Sequence, residues 1–370
     1  MNLTSAITGL PYTGKTTLFN LLTGGHATTG GFTGAEAETN VGIAKVPDPR
    51  IERLSALYRP KKTTFAEITY RDLGLSKSAG TGQGDGISAK KLGDLRTADA
   101  LVHVVRAFRD PTVPHSEGSI DPVRDVATLD LELIIADHGI VERRLERIEP
   151  ELRGAKGAER EAKERERAFL QRAFPALEAE TPLRDLPIEP DELRLVRGYR
   201  FLTLLPQLLV VNLDESDLAR AEEVLTPLRE LASKHRATGV VHACAKIEAE
   251  IAELPGAEAE AFRAELGIAE PALERIIRAT YDLLGLVSMF TAGEDEVRAW
   301  TVPAGSTAQQ GAGAIHSDLE RGFIRAEVIA WDELLRQGSE AAAKKAGVLR
   351  TEGKTYLVRD GDVVHVLFNV

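Results

Sequence analysis

Apolar and polar positions alternate along the chain between short strand-like runs and amphipathic helical segments. Strands are predicted for a first run ending near residue 7 and for the runs at 41–46, 65–70, 100–105, 208–212 and 239–243. The largely apolar run at 100–105 is typical of a parallel strand covered on both faces. A helix is predicted at 50–58. This succession of strands and helices predicts an α/β fold with a parallel sheet.

The sheet pattern is interrupted from residue 125 to residue 203 by a heavily charged helical region. Its apolar positions recur every three to five residues at Leu129, Leu133, Ala136, Ile140, Leu145, Ile148 and Leu152. The pattern breaks at 154–157 and a second helical run covers 159–180. Two amphipathic helices joined by a glycine-containing bend predict an antiparallel hairpin. The charged outer faces are interpreted as solvated helix surface, with a docking surface as the alternative.

The pattern of the C-terminal part predicts a small mixed α/β unit. Strands are predicted at 297–302, 324–329, 355–358 and 363–370, a helix at 339–346 and a hairpin-like turn at 359–362. The predicted domains are therefore a nucleotide-binding domain of residues 1–124 and 204–283, an inserted helical hairpin of residues 125–203, and a terminal domain of residues 284–370.

Composition narrows the class of protein. A chain of 370 residues, 43% of them hydrophobic, is too long for one core and predicts several globular domains. One cysteine and no long apolar run favour a reducing, aqueous compartment, so a cytoplasmic protein without membrane contact is expected. The net charge of −11 argues against bulk attraction to nucleic acid, and no sequence-specific DNA binding is expected.

The segment Gly9-Leu-Pro-Tyr-Thr-Gly-Lys-Thr-Thr17 matches the phosphate-loop pattern between a strand and a helix. Its backbone N–H groups are expected to surround a polyphosphate, with Lys15 exposed in the loop and reaching the β and γ phosphates. The Thr16 hydroxyl is expected to ligate Mg²⁺. The predicted nucleotide-binding residues of this segment are Gly9, Tyr12, Thr13, Gly14, Lys15, Thr16 and Thr17.

Further candidates lie where other predicted strands end. Asp72 closes the strand at 65–70 and is expected to hold the metal or its water, and Gly74 to offer a backbone N–H to the γ-phosphate. Polar residues after the strands at 208–212 and 239–243 are expected near the nucleotide base. In guanine-binding relatives of this fold an aspartate accepts from guanine, whereas Glu215 stands here after Asn212.

The chain resembles the YchF or Obg-like ATPases, a family of the translation-factor class of P-loop NTPases. The resemblance runs nearly end to end. It rests on the phosphate loop and on the segments Asn40-Val-Gly, Val46-Pro-Asp-Pro-Arg50, Ala100-Leu-Val-His-Val-Val-Arg106, Asn212-x-x-Glu215, Cys244-Ala-Lys246-Ile-Glu248, Phe290-Thr-Ala-Gly-Glu294, Ala299-Trp-Thr301 and Ile315-His-Ser-Asp318 through Val328. The last blocks resemble the TGS domain, a β-grasp module that closes this family.

The resemblance implies an ATP-binding protein that associates with the ribosome or a ribosomal subunit. It implies that Leu213 contacts the adenine and that Cys244 and Lys246 lie beside the base. Leu75 stands where many GTPases place the glutamine that orients water. The switch position that usually supplies a threonine to Mg²⁺ holds Glu36, so Thr33 substitutes as a metal ligand, Glu36 ligates directly, or the switch does not close on the metal.

Three functions follow as hypotheses. The first is a slow Mg²⁺-dependent ATPase whose nucleotide state sets its affinity for ribosomes. In it His115, in the loop after residues 100–105, orients or accepts from water in catalysis, the alternative being a surface histidine without a role. The second is a GTPase of the same fold, in which Glu215 replaces the usual aspartate. The third is a non-hydrolysing nucleotide-sensing adaptor, favoured by Glu36, by Leu75 and by the single residue between Asp72 and Gly74.

Overall fold

A computed structural model of the chain describes residues 3–25, 39–73, 87–268 and 270–369. The strands are β1 Thr4–Thr8, β2 Asn40–Lys45, β3 Lys62–Thr64, β4 Glu67–Asp72, β5 Ala100–Arg106, β6 Gln207–Asn212, β7 Thr238–Ala243, β8 Leu286–Ala292, β9 Glu296–Pro303, β10 Phe323–Ala330, β11 Arg350–Glu352 and β12 Asp362–Phe368. The helices are α1 Lys15–Thr23, α2 Pro49–Tyr58, α3 Ala89–Leu95, α4 Pro122–Gly154, α5 Gly157–Glu178, α6 Pro190–Val196, α7 Ala221–Ala232, α8 Ala245–Ala252, α9 Gly256–Glu265, α10 Ala272–Leu283, α11 Ala308–Ile315, α12 Ser317–Arg321, α13 Trp331–Gln337 and α14 Glu340–Lys345. Short 3₁₀ turns cover Leu183–Asp185, Arg197–Tyr199, Leu202–Leu204 and Glu215–Arg220.

The described residues form two compact units. One falls within Met1–Leu3, Ile43–Thr69 and Ile277–Val370, and the other within Thr4–Gly42 and Tyr70–Ile276. The described residues form two six-stranded sheets, with the orders β2-β4-β1-β5-β6-β7 and β11-β10-β12-β8-β9-β3. The α/β fold with a parallel sheet, helices and a C-terminal sheet domain is thus confirmed.

The centre of the first sheet is parallel and fully buried. Strand β5 pairs in parallel with β1 and β6, and β6 pairs in parallel with β7. Every residue of β5 and β6 is buried. Because successive side chains of a strand point to opposite faces, both faces of these two strands are covered. Parallel pairing brings the carboxyl ends of these strands to one edge of the sheet, so the loops that follow them are neighbours.

The charged region folds as the predicted pair of long helices. Pro122 occupies the first turn of α4 and the Asp121 side chain caps that end, accepting from the Arg124 N–H at 3.1 Å. The chain breaks after Gly154, and α5 begins at Gly157 with a φ of 55°, which favours glycine. The hairpin has its own apolar core, formed by Ile134, Val141, Ile148, Leu152, Phe169, Leu170, Ala173, Leu177, Leu183, Val196 and Phe201.

A buried carboxylate joins α4 to the chain that returns to the sheet. Asp137 is 0% exposed and accepts from the backbone N–H groups of Leu202 and Thr203 at 3.1 and 2.8 Å. The Arg96 guanidinium donates to the same carboxylate at 2.8 Å. Burial raises the pKa of Asp137, and Arg96 opposes that shift. The group is therefore fully paired, as a buried charge must be.

One strand predicted for the C-terminal unit is not formed. Residues 355–358 do not form a strand, since only Leu357 makes an isolated bridge, with Thr307. The Tyr356 carbonyl accepts from the Ala308 N–H at 2.7 Å, and the Val358 N–H donates to the Ser306 carbonyl at 2.9 Å. The segment is extended because it pairs with the start of α11, and apolar alternation alone does not reveal that partner.

The second sheet contains a strand from far upstream. Strand β3 pairs in parallel with residues 296–298 of β9 and forms the edge of the sheet. The Thr64 hydroxyl donates to the Glu296 carboxylate at 2.6 Å. The helices α11, α12 and α13 and the strands β8 and β11, which the sequence analysis did not predict, also belong to this unit.

Among the described residues, no helix is both long enough and apolar enough to cross a membrane.

Asp137→Ala is expected to lower the free energy of unfolding by about 3 to 5 kcal/mol, because it leaves the Arg96 guanidinium and two backbone donors without their acceptor. Urea unfolding followed by circular dichroism measures the difference. The matched control is Glu146→Ala, an exposed carboxylate on the same helix, for which a change below about 0.5 kcal/mol is expected. Equal unfolding midpoints for the two variants would contradict the role given to Asp137.

Candidate functional site: a phosphate loop and a base pocket

Two glycines give the phosphate loop between β1 and α1 its shape. Gly9 has a φ of 142°, and a Cβ atom there would lie 2.4 Å from the Val104 carbonyl oxygen of the neighbouring strand. Gly14 has a φ of 93°, and its Cβ would lie 2.4 Å from the Asn212 Nδ2. A side chain at either position would therefore displace backbone or a buried amide. Between them Tyr12 adopts a φ of 63° with its ring largely exposed.

Lys15 is not exposed, contrary to the sequence prediction. Its side chain is 7% exposed and its Nζ donates to the Leu10 carbonyl at 2.6 Å, so it lies folded back across the loop. The path of the loop buries this side chain, and the sequence motif alone does not show that path. Burial lowers the pKa of Lys15 to about 8, and the nearby Asp72 carboxylate opposes the shift.

The predicted metal ligands that the structure describes lie together. The Thr16 Oγ1 donates to the Asp72 Oδ2 at 2.8 Å. Asp72 is 5% exposed, and its Oδ1 is buried without a hydrogen-bond partner among the described residues. A hydroxyl and a carboxylate with an unsatisfied oxygen are hard oxygen donors, the set that Mg²⁺ prefers. The two residues therefore fit a magnesium site beside the phosphate loop.

Asn212 joins the phosphate loop to the end of the base-side strands. Its Nδ2 donates to the Thr13 carbonyl at 3.0 Å, and its Oδ1 accepts from the Ala245 N–H at 3.0 Å. The residue is buried, and among the described residues these two backbone groups satisfy both ends of its amide. Asn212 was predicted to contact the nucleotide. In the structure its side chain connects the phosphate loop to the start of α8.

A pocket of about 480 Å³ opens at the ends of β5, β6 and β7. It is lined by Gly14, Thr17, Phe108, Arg109, Asp110, Asn212, Leu213, Asp214, Glu215, Cys244, Ala245, Lys246, Ala249, Glu250 and Glu253. Its volume suits a nucleoside, and it begins at the phosphate loop itself. Of the predicted base-side residues, Glu215 and Lys246 are exposed at the pocket, whereas Leu213 is only 1% exposed and Cys244 4% exposed.

The sequence prediction missed the contribution of the loop after β5. Phe108, Arg109 and Asp110 line the pocket, and the Arg109 N–H donates to the Asp214 Oδ2 at 3.2 Å. Hydrogen bonds from Ser216 and from this N–H hold the pKa of Asp214 below its usual range. Their position in the sequence could have revealed these residues, because residues 107–110 directly follow a buried parallel strand and ligands bind at the carboxyl ends of such strands.

His115 lies in the same loop with both ring nitrogens close to other polar groups. Its Nδ1 accepts from the Glu117 N–H at 3.1 Å. Its Nε2 lies 3.0 Å from the Asp125 Oδ2, a close contact without the alignment of a hydrogen bond. The imidazole is 10% exposed. A catalytic role for His115 remains a prediction that requires the ring to turn or the loop to move.

Four further positions of interest lie outside the described residues. These are the predicted metal ligand Thr33, the predicted γ-phosphate contact Gly74, and the switch residues Glu36 and Leu75.

The loop, its lysine and the adjoining hydroxyl and carboxylate, set at the edge of a parallel sheet, define a P-loop nucleotide-binding protein of the α/β class. Residues 286–369 match the family model YchF-GTPase_C, described as "Protein of unknown function (DUF933)". The chain is 44% identical over 375 residues to the "Ribosome-binding ATPase YchF" of Bacillus subtilis (strain 168), with 100% of each chain covered. It therefore belongs to the YchF family.

Two further similarities agree with this assignment. The chain is 40% identical over 371 residues to the "Ribosome-binding ATPase YchF" of Escherichia coli O157:H7, with 100% of each chain covered. The solved structure described as "Structure of the Schizosaccharomyces pombe YchF GTPase" matches with a TM-score of 0.85 at 31% identity, covering 99% of this chain and 98% of that one. The resemblance inferred from the motifs is confirmed.

Nucleotide binding is expected to weaken as the pH rises above the pKa of Lys15, which is about 8 in the free protein. Bound phosphates favour the charged amine, so above this pH the protein must take up a proton on binding, and affinity falls by up to about tenfold per pH unit. At pH 8, calorimetry in two buffers of different ionisation enthalpy should give an uptake of about half a proton per ATP.

The control for this experiment is Lys15→Ala. We expect it to bind ATP at least about a hundredfold more weakly, since one charge-assisted phosphate contact is lost, with a residual affinity that is flat from about pH 7 to 9. A wild-type affinity that does not change over that range would show that Lys15 stays protonated or does not touch the phosphates.

Proposed function

We propose that this protein binds ATP with Mg²⁺ and hydrolyses it slowly, and that the bound nucleotide governs its association with ribosomes. The observation that carries the proposal is the pairing of Thr16 with Asp72 beside the phosphate loop, with one carboxylate oxygen left unsatisfied in a buried position. A site built only to bind an anion would not need a buried carboxylate at its edge.

The residues of the chain have separate tasks in this proposal. The N–H groups at the start of α1 and the Lys15 ammonium bind the phosphates, and no described side chain caps that helix end in competition. Thr16 and Asp72 would hold Mg²⁺, which when bound neutralises charge on the phosphate oxygens, with Thr33 proposed as a further ligand. Gly74 is proposed to offer its N–H to the γ-phosphate.

The base pocket is proposed to prefer adenine. Glu215 stands at the pocket where an aspartate accepts from guanine in related enzymes, and it is longer by one methylene group. Leu213 is proposed to contact the adenine, and Cys244 and Lys246 to border it. The extra length of Glu215 brings its carboxylate into the space that the guanine edge would need.

Ribosome association is proposed from the relatives in Bacillus subtilis and Escherichia coli that are named as ribosome-binding ATPases. With this partner, the protein would act in the cytoplasm. For the bound nucleotide to govern this association, the ribosome needs only to bind one nucleotide state of the protein more tightly than the other.

Two alternatives have specific support. The relative from Schizosaccharomyces pombe is described as a GTPase, which keeps GTP as a candidate ligand of the same pocket. A non-hydrolysing adaptor is favoured by His115, because its Nδ1 already accepts from the Glu117 N–H and its Nε2 lies 3.0 Å from the Asp125 carboxylate.

ATP is expected to bind at least about fivefold more tightly than GTP, a difference of about 1 kcal/mol that one crowded polar contact can supply. Calorimetric titration of the two nucleotides with Mg²⁺ measures the ratio. Glu215→Asp should move the ratio towards GTP, and Glu223→Asp, an exposed glutamate in α7, should leave it unchanged. Tighter binding of GTP by the wild-type protein would replace ATP with GTP in the proposal.

Single-turnover hydrolysis of ATP tests the enzymatic part of the proposal. We expect a slow wild-type rate, because Leu75 cannot orient water, a rate about a hundredfold lower for His115→Ala, and a changed rate for Leu75→Gln. The control is His365→Ala, an exposed histidine of β12, with an unchanged rate. No turnover by wild type, with or without ribosomes, would favour the adaptor, and a wild-type rate in His115→Ala would remove His115 from catalysis.

A further inference from the structure

Arg106, the last residue of β5, is buried and holds the loop that follows it. The residue is 2% exposed. Its Nε donates to the Phe108 carbonyl at 3.2 Å and its Nη1 to the Pro114 carbonyl at 2.9 Å. Its Nη2 donates to the carbonyls of Asp110 and Val113 at 3.4 and 3.1 Å. The guanidinium therefore binds four backbone oxygens of a single loop.

The partners of this charge are unusual for a buried arginine. Among the described residues no carboxylate hydrogen-bonds to Arg106, and burial lowers the pKa of its guanidinium, with Asp110 and Asp125 opposing at longer range. A buried cation is normally paired with a carboxylate. Here all three guanidinium nitrogens donate to the loop and fix the path of its backbone, which an ammonium group with its compact geometry does not reproduce.

The four acceptors divide between two functional parts of the loop. Phe108 and Asp110 belong to the base pocket, and the guanidinium also lies 4.4 Å from the centroid of the Phe108 ring. Val113 and Pro114 directly precede His115. Arg106 thus contacts the pocket part and the histidine part of the loop at the same time.

We propose that Arg106 is a positioning residue that couples occupancy of the base pocket to the placement of His115. This inference rests on the proposed function. A purine that settles against Phe108 moves the carbonyls at that end of the loop, and the rigid guanidinium transmits the shift to the carbonyls next to His115. The imidazole is thereby released from its present contacts only when a nucleotide is bound.

The test compares wild type, Arg106→Lys, His115→Ala and the double variant. Arg106→Lys retains the charge and loses the fork, so we expect its single-turnover rate with ATP to fall about tenfold while ATP affinity changes less than about threefold. If Arg106 acts through His115, the double variant is no slower than His115→Ala alone. Independent losses that multiply in the double variant would overturn the proposal.

A second readout does not depend on hydrolysis. The Cε1–H signal of His115, assigned by its loss in His115→Ala, is expected to shift in the proton NMR spectrum when wild type binds a non-hydrolysable ATP analogue. In Arg106→Lys, at saturating analogue, this shift should be lost. A shift that persists in Arg106→Lys would overturn the coupling even if wild type never hydrolyses ATP, so failure of the inference and failure of the ATPase proposal are distinguishable.

Two further variants separate positioning from general loss of structure. Arg96→Lys is the matched control, because Arg96 also donates to backbone carbonyls, those of Arg200 and Ala136, at a different place in the unit. It should leave the rate and the His115 shift unchanged. If Arg106→Lys does not fold, Phe108→Leu removes the ring that the purine is proposed to meet and that lies 4.4 Å from the guanidinium. At saturating analogue it should reduce the shift by at least about half, whereas an undiminished shift would overturn the proposal.

Discussion

The site depends on one buried amide. Asn212 holds the Thr13 carbonyl with its nitrogen and the Ala245 N–H with its oxygen, so a single side chain sets the spacing between the phosphate loop and the start of α8. Leaving either group unsatisfied in the interior would cost about 1 to 3 kcal/mol. The same nitrogen fills the space that any side chain on Gly14 would need. The phosphate loop and the residues that border the neighbouring pocket are therefore connected through one shared side chain.

The chemistry of the site comes from the boundary between buried strands and their loops. β5 and β6 are buried throughout, which keeps their ends rigid, and the polar groups follow immediately after them. Three charged groups at this boundary, Lys15, Asp72 and Arg106, are nearly inaccessible to water. In such a setting each charge interacts strongly with its few neighbours and is sensitive to an arriving polyphosphate.

Much of this arrangement was predictable from local pattern, because the relevant forces act between near neighbours in sequence. The phosphate loop, the strands at its sides and the two helices of the hairpin follow from glycine spacing and apolar periodicity. The burial of Lys15, the bridge made by Leu357 and the pocket residues Phe108 and Asp110 depend on contacts distant in the chain or on the path of a loop. Arg106 belongs to one of the segments that resemble the family. Its role could not be predicted from the sequence, because its partners are backbone carbonyls, which every residue has.

The pairing of β3 with β9 ties the completion of the C-terminal sheet to the timing of biosynthesis. Lys61 and Asp295, which flank this pairing, are 234 residues apart. At about 5 to 20 residues per second, a ribosome needs on the order of ten to fifty seconds to make the chain between them. Throughout that interval β3 has no partner strand within its own sheet. A product truncated before β9 would leave β3 without the partner strand that holds it in the C-terminal sheet.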